Sequence, residues 1–119
     1  MKKGHNYDPE EGDILMFWSN EAQKDKFAVN LEPKSINKNK ITFNGVITTT
    51  QNIDNIYPYD HRLKDGTMKK PTKVICDQPT AIPKAIVYRK VSQVSQDDLD
   101  EIRKKTAQSL GIVYQDTTS

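Results

Sequence analysis

The stretch from Lys73 to Lys84, KVICDQPTAIPK, places a carboxylate at the abrupt end of an apolar run. Asp77 follows three apolar residues and precedes Gln78 and Pro79. Proline cannot donate to a ladder of strand hydrogen bonds, so Pro79 is expected to stop the strand. The Asp77 carboxylate could bond its own backbone in a turn, or it could accept a proton from a substrate. The corner is therefore a structural and a chemical candidate at once.

Other reactive side chains are few. Cys76 is the single cysteine, so no intrachain disulfide can form, and it is interpreted as a small buried hydrophobe rather than a nucleophile. His61 could shuttle a proton near neutral pH, although a solvated strand end at His61 and Arg62 is the simpler interpretation. No Cys/His cluster has the spacing of a zinc site, so neither a metal nor another cofactor is predicted.

Lysines and aromatic residues are spread along the chain in a way that suits single-stranded RNA, because ammonium groups contact phosphates and rings stack on bases. A solubilising lysine surface is the alternative, since the formal net charge is only +2. The lysine clusters are Lys34, Lys38 and Lys40, and Lys69, Lys70 and Lys73; the aromatic candidates are Trp18, Tyr57 and Tyr59.

Short β-strands must position these residues. Apolar and β-branched runs predict strands over 14–18, 26–31, 40–50, 57–63, 72–76 and 85–88, with a basic loop at 34–40 and a bend at Gly45. Ser95 then predicts a helix N-cap, apolar residues follow at helical spacing to Val113, and Gly111 is a C-cap candidate. The expected architecture is mainly β: a small curved sheet or barrel covered by a C-terminal helix.

Composition places the chain among small folded proteins. Its 119 residues fit one domain, predicted over 9–114, between a flexible segment at 1–8 and a flexible tail at 115–119. The N-terminus lacks the apolar core of a signal peptide, and no run approaches the ~18 apolar residues of a membrane span. The single cysteine favours a reducing compartment, so a cytoplasmic location without a membrane partner is expected.

An ordered set of landmarks resembles the MazF/PemK (Kid) family of bacterial toxins over roughly residues 9 to 113. The set begins with Gly-Asp-Ile at 12–14 and Ala-Val-x-Leu-x-Pro at 28–33. It continues with Ile-Thr-Thr-Thr-Gln at 47–51, Cys-Asp-Gln-Pro at 76–79 and a helix that ends Ser-Leu-Gly at 109–111. The Cys-Asp-Gln-Pro corner is the most specific piece.

The resemblance implies a fold, an activity and partners. Members have a strongly curved SH3-like barrel with a C-terminal helix, form homodimers, and mostly cut single-stranded mRNA at short sequences without a metal. A labile antitoxin blocks the RNA site, and the toxin–antitoxin complex is expected to bind DNA. A relative of the same fold, CcdB, poisons DNA gyrase instead.

The resemblance also assigns residues. Thr49, with Thr48 next, matches the hydroxyl that contacts the scissile phosphate, and Asp77 matches an active-centre carboxylate that would act as a base or orient one. The family's catalytic Arg-Pro is replaced here by Lys26-Phe27. The candidates to replace the arginine are Lys26, His61 and Arg62, and Lys26 is the expected substitute, although an ammonium lacks the fork of a guanidinium. A second family arginine, two residues before the corner Asp, is Ile75 here. The remaining predicted RNA-binding residues are Thr48, Thr50, Gln51, His61, Arg62, Lys73 and Gln78.

Three functions compete. The first is a homodimeric, metal-independent endoribonuclease restrained by an antitoxin. The second is a protein of the same fold that binds RNA or antitoxin but cleaves weakly or not at all, which the missing Arg-Pro favours. The third, a gyrase poison, is disfavoured because this chain ends YQDTTS rather than in the Trp-Gly-Ile of such poisons.

Overall fold

The computed structural model describes residues 8–112. The predicted flexible tail at 115–119, Val113 at the predicted end of the helix, and all of the predicted flexible segment 1–8 except Asp8 lie outside this range. Asp8 itself is held by an ion pair between its Oδ1 and the Nζ of Lys84, at 2.7 Å.

Six strands form one antiparallel sheet in the order β4-β5-β3-β2-β1-β6. Within residues 8–112 no ladder joins the edge strands β4 and β6, so the sheet is open. The strands are β1 Asp13–Ser19, β2 Lys24–Asn30, β3 Thr42–Thr49, β4 Asp60–Arg62, β5 Lys73–Pro83 and β6 Val87–Gln93; the helices are α1 Lys34–Asn37, α2 Gln96–Ser109 and a 3-10 turn at Lys84–Ile86. The predicted mainly-β architecture with a C-terminal helix is confirmed.

Helix α2 covers one face of the sheet, and the residues predicted to cap its two ends lie at those ends. The Ser95 hydroxyl accepts a hydrogen bond from the Asp98 backbone N–H at 3.1 Å, which caps the first turn. Gly111 follows the helix with a φ of 76°, a conformation that glycine adopts without steric cost. Leu99 and Ile102 pack onto a core that includes Val74 and Cys76 of β5.

A second apolar cluster contains residues from five strands and is separate from the core under α2. It comprises Leu15, Phe17, Ala28, Phe43, Ile82 and Val87. Successive side chains of a strand point to opposite faces, so one strand can serve both clusters. In β3, for example, Val46 belongs to the core under α2 and Ile47 packs against the second cluster. This alternation decides which residues can face a ligand.

The predicted strand stop at Pro79 is wrong. Strand β5 runs through the Asp-Gln-Pro corner to Pro83, and the break comes at the 3-10 turn. The ladder with β3 shifts its register between Val46 and Thr48, so the corner is a bulge rather than an end. Pro79 pairs with Val46 at the edge of this bulge, and bulges are among the few places where a strand accommodates proline.

Three smaller predictions are also corrected. The basic segment predicted as a loop contains the single turn of α1, and the predicted strand over 57–63 is ordered as a strand only at Asp60–Arg62. Gly45 is required for close approach rather than for a bend: a Cβ there would lie 2.9 Å from the Val29 carbonyl oxygen.

Candidate functional site

A cleft of about 330 Å³ opens where β3 ends beside the bulge of β5. The loop that connects β3 to β4 forms a further wall of this cleft. Hydroxyl, amide, carboxylate, ammonium and aromatic groups all line it, which is a chemically varied set for a chain of this size. The lining residues are Thr49, Gln51, Asn52, Tyr57, Asp60, Lys73, Ile75, Asp77 and Gln78.

The bulge brings Asp77 to the cleft. Val46 pairs with Pro79 and Thr48 pairs with Val74, so β5 has the four residues Ile75–Gln78 where β3 has only Ile47. The surplus backbone is pushed out of the ladder, and both Asp77 and Gln78 are exposed there. The corner therefore presents a carboxylate and an amide to the cleft without ending the strand.

Strand alternation separates the three threonines. Thr49 pairs with Lys73, and both line the cleft, whereas Thr48 pairs with Val74 of the core under α2. Thr49 Oγ1 accepts a hydrogen bond from the Gln51 N–H at 3.1 Å, so its own hydrogen is free to be donated to a ligand. Thr50 is exposed beyond the strand end and does not line the cleft.

A buried ion pair lies at the base of the cleft. The Nζ of Lys73 is 2.7 Å from Oδ2 of Asp60, and the two side chains are only 4% and 6% exposed. Lys73 also donates to the Asn55 carbonyl at 2.9 Å, and its Nζ lies 4.9 Å from the ring centroid of Tyr57. The predicted RNA-binding lysine is thus a paired cation under the β3–β4 loop.

The predicted substitute cation, Lys26, does not line the cleft. It is half-buried in β2, two residues before Ala28, which pairs with Ile47. Continuing this register by two residues leads to Thr49, on the same face of the sheet. The β2–β3 ladder itself stops at Ala28, so a position of Lys26 beside the cleft stays a prediction.

The structure does not bring His61 and Arg62 into the cleft. His61 pairs with Val74 and so points toward α2, where its Nε2 lies 2.8 Å from Oδ1 of Asp98. Arg62 is exposed and its guanidinium lies 3.5 Å from Asp65. Asp98 also accepts the Lys64 N–H at 3.1 Å, so this cluster joins β4 to α2.

Cys76 is fully buried, as predicted. Burial raises the pKa of its thiol to about 12, because a thiolate would be stripped of water. A thiol with this pKa is protonated at neutral pH and is not a nucleophile. Among residues 8–112 no three His, Cys, Asp or Glu side chains are grouped to hold a metal ion, and none of the helices in that range is long and apolar enough to cross a membrane.

Sequence reasoning missed Asp60 and Asn52. Asp60 is 4% exposed, and a buried carboxylate at the start of a strand is uncommon unless it has a partner. Its position directly after Tyr-Pro-Tyr, as the first residue of a strand, was the available signal. Asn52 has a φ of 52°, which asparagine tolerates better than most residues, and it faces the cleft from the turn after β3.

A family model described as PemK-like, MazF-like toxin of type II toxin–antitoxin system matches residues 10–110. The fold is similar to that of MazE–MazF (Form-II) from Deinococcus radiodurans, with a TM-score of 0.77, 18% identity, and 90% of this chain and 99% of that chain covered. An endoribonuclease in complex with its cognate antitoxin from a mycobacterial species is similar with a TM-score of 0.78 and 15% identity; 90% of this chain and 99% of that chain are covered. The Mycobacterium tuberculosis toxin MazF-mt6 is similar with a TM-score of 0.73 and 12% identity; 86% of this chain and 99% of that chain are covered. No curated protein sequence matches the chain. The fold class implied by the sequence resemblance is confirmed.

Proposed function

Because the chain belongs to the PemK-like, MazF-like toxins of type II toxin–antitoxin systems, we propose that it is a metal-independent endoribonuclease that cuts single-stranded RNA at short sequences. The observation that carries this proposal is the meeting of Thr49, Asp77, Gln51 and Gln78 in one cleft. All four come from the two segments 47–51 and 76–79 that the sequence resemblance assigns to the site. The register shift between β3 and β5, which the sequence does not reveal, exposes Asp77 and Gln78 there.

The proposed reaction uses the RNA's own 2′-hydroxyl. Asp77 accepts the proton of the 2′-OH, the 2′-oxygen bonds to the adjacent phosphorus, and the bond from phosphorus to the 5′-oxygen breaks. The leaving 5′-oxygen takes a proton from water, so the products are a 2′,3′-cyclic phosphate and a 5′-hydroxyl. The Thr49 hydroxyl donates to a non-bridging phosphate oxygen, where charge increases in the transition state.

Lys26 is the proposed phosphate cation. The ammonium of Lys73 is paired with Asp60, and the exposed Asp77 adds a further negative charge to the cleft. A phosphate therefore needs a cation from outside the lining residues. Lys26 is the candidate because the β2–β3 register, extended by two residues beyond its last pair, leads from Lys26 to Thr49. Its single ammonium gives one point of attraction where a guanidinium gives two parallel bonds, so modest catalytic power is expected.

The family assignment also supports proposals about partners. We propose that the chain forms a homodimer, that a cognate antitoxin blocks the RNA cleft, that the resulting complex binds DNA, and that the protein acts in the cytoplasm. One of the similar structures is described as an endoribonuclease in complex with its cognate antitoxin.

One observation favours the second candidate, a module that binds RNA or antitoxin without efficient cleavage. Among the described residues that line the cleft, the only ammonium is that of Lys73, and it is neutralised by Asp60. If Lys26 does not reach the phosphate, the Thr49 hydroxyl would be left as the only proposed group that stabilises the charge of the transition state, and the site would bind RNA but cleave it slowly.

The test is cleavage of a long mixed-sequence RNA in excess EDTA, with sequencing of the fragment ends. We expect discrete cuts that leave 2′,3′-cyclic phosphate or 3′-phosphate ends. Asp77→Asn removes the base and should lower the cleavage rate by about 10²- to 10⁴-fold. Thr49→Val keeps the β-branched shape but removes the donor, and should lower the rate by about 10²-fold.

Matched controls are available on the same strands and surface. Thr42→Val makes the same change at the opposite end of β3, and Asp65→Asn makes the same change at an exposed turn; both should cleave like the wild type. Lys26→Arg should raise the rate if Lys26 is the phosphate cation. Intact RNA at high enzyme excess would contradict the nuclease and leave the binding module.

A further inference from the structure

Tyr57 is an exposed aromatic residue that the structure holds in one orientation. Its backbone N–H donates to Oδ2 of Asp60 at 3.0 Å, and its hydroxyl accepts from Nδ2 of Asn55 at 3.2 Å. The Asp60 N–H donates back to the Tyr57 carbonyl at 2.9 Å, which closes the turn. These contacts at the backbone and the hydroxyl restrict the orientation of the ring.

One face of the Tyr57 ring lies against the Lys73 ammonium. The Lys73 ammonium lies 4.9 Å from the ring centroid, within the range of a cation–π contact. Tyr57 is nevertheless 54% exposed, so more than half of the residue's surface is open to solvent. The buried Lys73–Asp60 pair fixes the position of this ring, because Oδ2 of Asp60 accepts from both Lys73 and Tyr57.

The ring could stack on the face of a nucleobase, and the polar side chains near it could bond the edge of the same base. Amide side chains of Gln51, Asn52 and Gln78 line the same cleft, and each amide offers donors and an acceptor of the kind that base edges require. Thr49 and Asp77, the proposed reacting groups, line it as well. A base stacked on Tyr57 would therefore belong to a nucleotide close to the scissile phosphate.

We propose that Tyr57, held from below by the Lys73–Asp60 ion pair, is a stacking platform for one base of the single-stranded RNA substrate, and that Gln51, Asn52 and Gln78 contact the edge of that base. The proposal rests on the proposed function for the identity of the ligand. It assigns Lys73 and Asp60 as positioning residues rather than as groups that touch RNA.

The test measures binding instead of cleavage, so that it is independent of catalysis. Labelled 2′-O-methyl oligoadenylate and oligouridylate cannot react, because the attacking hydroxyl is blocked. A 2′-O-methyl oligomer of equal length without bases retains the phosphates alone. Fluorescence anisotropy gives the Kd of the full chain for each probe.

Tyr57→Leu keeps an apolar side chain but removes the ring. It should weaken binding of a base-bearing probe by about 5- to 150-fold, the range of base stacking on aromatic side chains, and leave the Kd for the abasic probe unchanged. Tyr57→Phe keeps the ring and should bind both probes like the wild type. Tyr88→Leu is the matched control, because Tyr88 is 57% exposed and lies on β6, at the opposite edge of the sheet from β4.

The outcomes separate this proposal from the nuclease. Equal affinity of wild type and Tyr57→Leu for the base-bearing probes, or an equal loss for base-bearing and abasic probes, would overturn the platform, even if the wild type cleaves RNA in EDTA. A base-dependent loss together with intact RNA in EDTA would support the platform and overturn the nuclease. Absence of wild-type binding to any base-bearing probe would also overturn the platform.

Discussion

The two ends of β5 carry the same chemistry in different settings. Lys73 begins the strand and Lys84 follows its last residue, and both side chains are 4% exposed. Each ammonium lies 2.7 Å from a carboxylate, of Asp60 and of Asp8 respectively. Each also donates to a backbone carbonyl, of Asn55 for Lys73 and of Asn37 for Lys84.

The difference lies in what else each carboxylate does. Asp60 is 6% exposed and holds the backbone of Tyr57 as well as Lys73, so its pair supports the wall of the cleft. Asp8 is 28% exposed, and its pair joins the first described residue to α1 and β5, away from the cleft. Burial of a lysine is therefore not by itself a sign of function. The contacts that its partner makes decide whether the pair also positions a site.

Removal of Lys73 should have the largest effect. Lys73→Met leaves the Asp60 carboxylate buried without a counter-charge, and we expect a loss of about 3–5 kcal/mol in the free energy of unfolding. The β3–β4 loop loses its anchor at Asn55, so the Kd for base-bearing oligonucleotides should rise in the molecules that remain folded. Urea denaturation measures the first effect and anisotropy the second.

Two variants check the cause. Lys73→Arg retains the charge, so it should keep much of the wild-type unfolding free energy and much of the wild-type affinity for base-bearing oligonucleotides. Lys73→Met combined with Asp60→Asn removes both charges and should be more stable than Lys73→Met alone, because no unpaired carboxylate is buried. A Lys73→Met protein as stable as the wild type would show that water reaches Asp60 and that the pair does not anchor the loop.

The same change at the other end of β5 should cost less. Lys84→Met leaves the Asn37 carbonyl without this donor, but the partly exposed Asp8 can turn toward water. The Asn37 carbonyl still accepts from the Lys40 N–H at 2.9 Å. We therefore expect a loss of about 1.5–3 kcal/mol in unfolding free energy, the usual net contribution of a hydrogen bond from a charged donor. RNA affinity and cleavage per folded molecule should not change. An equal loss of affinity in Lys84→Met and Lys73→Met would remove the distinction between the two pairs.

Local signals allowed part of this molecule to be predicted. The cap at Ser95 and the helical spacing after it involve neighbours in sequence, and α2 follows them. The choice of Thr49 over Thr48 follows the period of two along a strand together with the family motif. The functional significance of the Asp77 corner could likewise be proposed from Cys-Asp-Gln-Pro alone.

Non-local contacts limited the rest. Pro79 predicted a strand end because proline lacks an N–H, but whether that donor is needed depends on the register with β3, which shifts at this point. Lys73 looked like a surface cation because nothing in the local sequence marks Asp60 as its partner across β4 and β5. The difference between a free and a paired lysine is set by strand pairing, and sequence periodicity does not report it.

Cys76 sharpens the comparison from the other face of β5, since it is buried without a charged partner. Its Sγ donates to the Val74 carbonyl at 3.8 Å, whereas both buried lysines have a carboxylate. Burial raises its pKa from 9.0 to about 12. Above about pH 9 the unfolded chain releases this proton and the folded chain keeps it, so the contribution of Cys76 to stability is complete below that pH and falls as pH rises toward about 12.

The expected loss is about 1.4 kcal/mol between about pH 8 and about pH 10, taken as the stability of the wild type minus that of Cys76→Ala. The subtraction removes the titration of tyrosines and lysines common to both proteins. Urea denaturation in reducing buffer supplies the free energies. A thiol reagent added to the folded wild type at neutral pH should react only as fast as the chain opens, because the thiol is both inaccessible and protonated. Immediate and complete reaction would show that Cys76 is accessible, and a stability difference independent of pH would show that burial does not hold its proton.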